Sequence, residues 1–131
     1  MDAKEITETA LALPLGYKKH LCERLIRDIY RLEHLAAASY RYTQVLSVAE
    51  EVTNMRNDPD RKDAGSVFVR TITTWAMLDE GYTLAEIGKA MGKDHSTVAY
   101  LKRLRRNATE LPAAYGQYTY AYKKLKNALR E

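Results

Sequence analysis

Four consecutive residues, Asp94-His95-Ser96-Thr97, put short hydrogen-bonding groups at what reads as the start of a helix. Lys102, Arg103 and Arg106 follow one to three turns later. At about 100° per residue, His95, Ser96, Ala99, Lys102, Arg103 and Arg106 gather on one side of that helix, and Val98, Leu101 and Leu104 on the other. Only Arg105 falls on the flank of the apolar stripe, where its aliphatic stem can lie along a core. Short polar groups first and long cations later suit a helix whose first turn meets base edges and whose later turns neutralise phosphates. The small Ala99 between them allows close approach to a groove wall, and Lys89 and Lys93 add positive charge just upstream. Taken alone, His95 reads as a surface histidine, and Lys102, Arg103 and Arg106 as solubilising charge. Their common face, in the company of Asp94, Ser96 and Thr97, reverses that reading. Asp94 can cap its helix and also accept from a cytosine amino group; the two roles are compatible.

The preceding residues position this helix. Thr83 followed by Glu86 is a capping box, in which hydroxyl and carboxylate each satisfy an amide at a helix start. Leu84, Ile87 and Met91 supply that helix with an inner face. Gly92 can adopt the positive φ that ends it, and Asp94 can cap the next. The spacing predicts helices over 83–91 and 94–106 joined by a turn at Gly92-Lys93. Two short helices at so tight a turn, the second basic, form the helix-turn-helix arrangement.

The same stretch resembles a known family. Lys93-Asp94-His95-Ser96-Thr97-Val98, preceded by Leu84-Ala85-Glu86-Ile87-Gly88, is similar to the DNA-binding domain of the bacterial chromosomal replication initiator DnaA. The resemblance extends upstream to Arg61-Lys62 and Val69-Arg70-Thr71-Ile72 and covers roughly residues 61–107. It implies an all-α fold holding a Trp-repressor-like helix-turn-helix, and sequence-specific binding of double-stranded DNA in replication or transcription control, in a bacterium, phage or prophage. It also implies that Asp94, His95 and Ser96 touch base edges in the major groove, that Lys93 and Thr97 hold base edge or phosphate, and that Arg70 enters the neighbouring minor groove. The chain departs from the family in three places. One glycine precedes Lys93 where the family usually has two, the loop from Asp79 to Thr83 is about one residue shorter, and Ala99-Tyr100-Leu101 replaces Leu-His-Ala. The initiator's ATPase module is missing. Gly88-Lys89-Ala90-Met91-Gly92-Lys93-Asp94 is a residue short of a phosphate loop and ends in Asp instead of Ser or Thr, so no nucleotide cofactor is expected.

The rest of the chain reads as helices with no convincing strand. A short helix is expected over 3–13, stopping before Pro14. An amphipathic one is expected from Tyr17 to about Ala37, with Leu21, Leu25, Ile29 and Leu32 as its stripe, and a third over roughly 40–55 with Val45, Val48, Ala49 and Val52 on one side. Residues 56–66, polar and containing Pro59 and Gly65, form the expected linker. An N-terminal helical region, 1–57, is therefore expected ahead of a DNA-binding domain, 61–131. In the latter, Phe68, Ile72, Trp75 and Leu78 mark one helix, closed by Gly81, and Tyr118, Ala121, Tyr122, Leu125 and Leu129 mark a last one over 113–130. Tyrosines at this spacing read as core or partner-facing surface rather than as base-stacking platforms.

Charge divides the same way. Residues 1–60 hold 8 Lys and Arg against 10 Asp and Glu, a net of −2, and residues 61–131 hold 13 against 7, a net of +6. A basic segment suits a polyanion, and the acidic region suits a protein partner or self-association. The 46% hydrophobic content is enough for a core. No apolar run is long enough to span a bilayer and residues 1–30 lack a signal-peptide layout, so a soluble, cytoplasmic protein without a membrane role is expected. Cys22 is the single cysteine, and with three histidines there is no metal-ligand cluster in the sequence. No nucleophile–base or carboxylate pair emerges; His20 and Cys22, two apart on a helix, point in different directions. An enzyme is not expected. The competing reading is a helical adaptor that keeps the helix-turn-helix only as scaffold. RNA is a weaker third, since such helices need the wide major groove of B-form DNA.

Overall fold

The computed structural model describes Ala3 and residues 15–130, and in these residues the protein is all-α, with five helices and no strand. They are α1, Leu15–Thr53; α2, Ala64–Asp79; α3, Leu84–Met91; α4, His95–Glu110; and α5, Pro112–Leu129. Apart from Ala3, the helix expected over 3–13 lies outside the described residues. The chain divides into two compact units, residues 1–34 and 35–131.

Where two helices are expected between Tyr17 and residue 55, the structure has one, α1, of 39 residues. The physical reason is plain. No Gly or Pro falls between Tyr17 and Thr53, and Ala36-Ala37-Ala38, at the expected break, are the strongest helix formers. The helix stops at Asn54, whose φ of 54° is left-handed, a conformation asparagine tolerates. In the first unit, the part of α1 up to His34 leaves Ile26, Ile29, Tyr30 and Leu32 exposed.

The second unit is built around α2. All nine residues from Val69 to Met77 are buried, as befits a central helix apolar on every side. Arg70 and three buried threonines are the exceptions. Thr71 and Thr73 return their hydroxyls to the carbonyls of Val67 and Val69 at 2.6 and 2.8 Å, and Thr74 finds no partner among the described residues. Tyr42, Val45 and Ala49 belong to the same core as Ile72, Trp75, Ile87, Val98, Leu101 and Leu125. The compact unit thus begins at Leu35, ahead of the 56–66 segment, and a boundary at 57 would strip these α1 residues from the core. The 56–66 segment itself is held in place: Glu50 accepts from the Asn57 amide at 2.8 Å, and within the segment Ser66 Oγ accepts from the Asp58 amide at 2.9 Å.

Of the tyrosines on α5, Tyr118 packs tilted against Phe68 at 4.7 Å between ring centroids and Tyr122 meets the Trp75 edge at 5.6 Å, whereas Tyr120 is exposed. The stripe is mainly core.

Tyr42 lodges a polar group in this core. Its hydroxyl is buried without a hydrogen-bond partner among the described residues, and burial pushes its pKa up to about 12. A buried polar group left unpaired costs about 1–3 kcal/mol. Tyr42→Phe is therefore expected to raise stability by about 1 kcal/mol, read as a higher denaturant midpoint. Because the folded state holds its phenolic proton more tightly than the unfolded one, the wild type loses stability as pH rises from the ordinary value of 10.0 towards about 12. Tyr42→Phe removes that part of the alkaline loss.

Candidate nucleic-acid interface

The capping box at the start of α3 is complete: Thr83 Oγ1 accepts from the Glu86 amide at 3.2 Å, and Glu86 Oε1 accepts from the Thr83 amide at 2.8 Å. Gly92 ends the helix at φ 74°, its amide and that of Lys93 closing onto the carbonyls of Lys89 and Gly88. Two residues later Asp94 caps α4, accepting from the Ser96 amide at 3.3 Å. The turn is kept tight by Gly88: a Cβ there would stand 2.9 Å from the Lys93 carbonyl oxygen.

Docking of α4 follows from its apolar side. Val98, Leu101, Leu104 and Ala108 are buried, and the Trp75 indole donates to the Leu101 carbonyl at 2.9 Å. Arg105 closes the flank. It grips Asp79 through Nη1 at 2.7 Å and Nη2 at 3.0 Å and lies 5.0 Å above the Tyr122 ring, and the Tyr122 hydroxyl also donates to Asp79. The hydrogen bonds from Arg105 hold the Asp79 carboxyl below the usual carboxylate range, against a partial desolvation that would raise it. Arg105 is thus occupied internally, as its place on the wheel implies.

The opposite side of α4 faces outward. Asp94, His95, Ser96, Thr97, Lys102, Arg103 and Arg106 are all exposed. His95 Nδ1 lies 3.0 Å from Asp94 Oδ1, so the two side chains form one polar unit at the helix start. Arg106 reaches Glu110, one turn on, at 3.0 Å, an exposed pair worth about 0.3–0.5 kcal/mol that a stronger anion can displace. Lys102 and Arg103 enter no ion pair among the described residues. Lys89 is exposed on α3, and Lys93 is half-buried in the turn.

Arg70 is placed differently. It is 5% exposed, its Nε donates to the Ser66 carbonyl at 3.2 Å, and its Nη2 donates to the Arg61 carbonyl. In this conformation it does not project outward with the α4 face; it fastens the loop that carries Arg61 and Lys62. Tyr100, which the wheel of polar and charged residues passes over, stands half-exposed beside Ser96 and Thr97 at the edge of a cleft that Arg70 also lines. Among the described residues, no three His, Cys, Asp or Glu side chains group to hold a metal, and no helix is long and apolar enough to cross a membrane. Compared with known proteins, the chain matches no protein family, no curated protein and no solved structure.

Proposed function

We propose that the chain binds double-stranded DNA, with α3 and α4 acting as a helix-turn-helix and α4 entering the major groove, as a regulator of replication or transcription rather than an enzyme. The observation that carries this reading is the exposed face of α4, where Asp94, His95 and Ser96 precede Lys102 and Arg103, two cations without an anionic partner among the described residues. Cations left unpaired on one helix face are available to phosphates, and each phosphate neutralised releases a counterion. Asp94, His95 and Ser96 read base edges; Thr97, Lys93 and Lys89 hold the flanking backbone; Lys102, Arg103 and Arg106 neutralise phosphates further along. The likeness of 84–98 to the initiator's DNA-binding segment supports the same assignment.

Selection from a random duplex pool tests it. A short preferred sequence is expected to emerge, with affinity that falls steeply with salt, at a log–log slope of about −3.5 to −4.5 if four or five cations meet phosphates. Failure to retain any duplex at low salt overturns the reading. The partner-binding alternative is favoured by one observation, the exposed Ile26, Ile29, Tyr30 and Leu32 of α1. It becomes the primary function if no duplex binds and truncation before Leu35 abolishes self-association.

A further inference from the structure

A cleft of about 530 Å³ opens between the start of α2 and the first turns of α4. Val67, Leu101 and the ring of Tyr100 give it apolar walls, and Lys62, Lys93 and Arg70 bring positive charge to it. Its volume is that of a small-molecule site, and a mostly apolar lining with a few placed polar groups is what such sites share.

Arg70 sets the chemistry. It is 5% exposed, and a guanidinium cannot shed its charge by losing a proton. Both acceptors it uses, the carbonyls of Ser66 and Arg61, are neutral, and neither bond involves Nη1. No carboxylate lies within ion-pair distance of it among the described residues. A buried cation without a counter-ion is costly, and the described residues supply none. Asp79, by contrast, engages Arg105 and Lys126, so half-buried cations elsewhere in this unit are neutralised.

We propose that this cleft binds a small organic anion, a carboxylate on a flat apolar body, whose headgroup completes Arg70 and whose body lies against Tyr100, Val67 and Leu101. Lys62 and Lys93 add charge at the rim, and both can swing to the headgroup because their ammonium groups make no ion pair among the described residues. The binding site stands apart from the DNA reading. Its regulatory consequence rests on that reading: Lys93 serves both ligands, so the bound anion lowers affinity for duplex.

The test is isothermal titration of the full chain, free of DNA, with naphthoate, and with naphthol and acetate as probes lacking the charge or the apolar body. Naphthoate is expected to saturate one site and to bind about tenfold tighter than either control, the contribution of one charge-assisted bond. Arg70→Gln and Tyr100→Ala are each expected to weaken it by about the same factor. Tyr100 is half-exposed, so its variant keeps the fold, and together with Lys62→Ala it decides the matter if Arg70→Gln does not fold. Absence of saturable binding, equal binding of naphthol, or binding indifferent to Tyr100→Ala overturns the proposal. A chain that takes naphthoate but no duplex keeps this site and loses the DNA reading. One that takes duplex but no naphthoate loses this site and keeps the DNA reading.

Discussion

Alanine at position 88 is expected to lower stability by about 1–2 kcal/mol, where the ordinary effect of Gly→Ala inside a helix has the opposite sign. Alanine gains about 1 kcal/mol over glycine in a helix interior from backbone entropy. At Gly88, however, the new Cβ would sit 2.9 Å from the Lys93 carbonyl oxygen and 3.5 Å from the His95 amide nitrogen. Both are backbone atoms of the turn, so relief requires moving the turn instead of a side-chain tip. Overpacking of this kind costs about 1–3 kcal/mol and outweighs the propensity gain. Gly116 is the control: it lies within α5, a Cβ added there would meet nothing within 4 Å, and Gly116→Ala is expected to stabilise by about 0.5–1 kcal/mol. Denaturant midpoints of the two variants check the pair; a stabilised Gly88→Ala would mean that the turn gives way at no cost. Because Lys93 to His95 move with the turn, Gly88→Ala is also expected to cost DNA affinity about tenfold, more than its stability loss explains.

The second large effect separates reading from neutralising. His95→Ala is expected to cost about 1–3 kcal/mol on the preferred duplex and little on random duplex, because a base contact carries discrimination. Arg103→Ala is expected to weaken both by a similar factor and to lower the salt slope by about one unit, through loss of one phosphate contact and its released counterion. His95 is 73% exposed in its side chain, and its ion-pair partner among the described residues is Asp94, so its replacement leaves the core untouched and the loss is one of contact. Salt titrations of each variant on both duplexes are the measurement. Equal losses on the two duplexes for His95→Ala remove it from the base-reading set.

Local signals carried most of the segment 83–106 into the structure. Thr83 with Glu86, Gly92 and Asp94 act within four residues of their targets, and each forms the cap its position implies. The wheel of α4 separates Val98, Leu101 and Leu104 from His95, Lys102 and Arg103 as its periodicity requires. What periodicity could not show was long-range partnership. The polar run of 56–66 has the composition of a linker, yet Glu50 binds it from α1, Ser66 closes it back on Asp58, and the α1 residues before it join the core after it. Arg70 carries the same lesson. Its type and neighbours suggest an outward-reaching cation, whereas two carbonyls, one of them nine residues back in the chain, draw it inward. A sequence window sees the residue type; burial depends on what the rest of the fold brings over it.

Trp75 is the single tryptophan of the chain, fully buried in α2, and its indole N–H is donated to the backbone carbonyl of Leu101 in the middle of α4. An indole in that setting emits to the blue of one in water, and its emission depends on the one hydrogen bond it makes. The protein therefore contains an optical gauge wired to the seating of α4. Loosening of that helix alone shifts the emission while the far-ultraviolet signal of the other helices stays in place. Unfolding of the whole unit moves both together. The two colours of light would tell apart a helix that has come off its bed from a domain that has come apart.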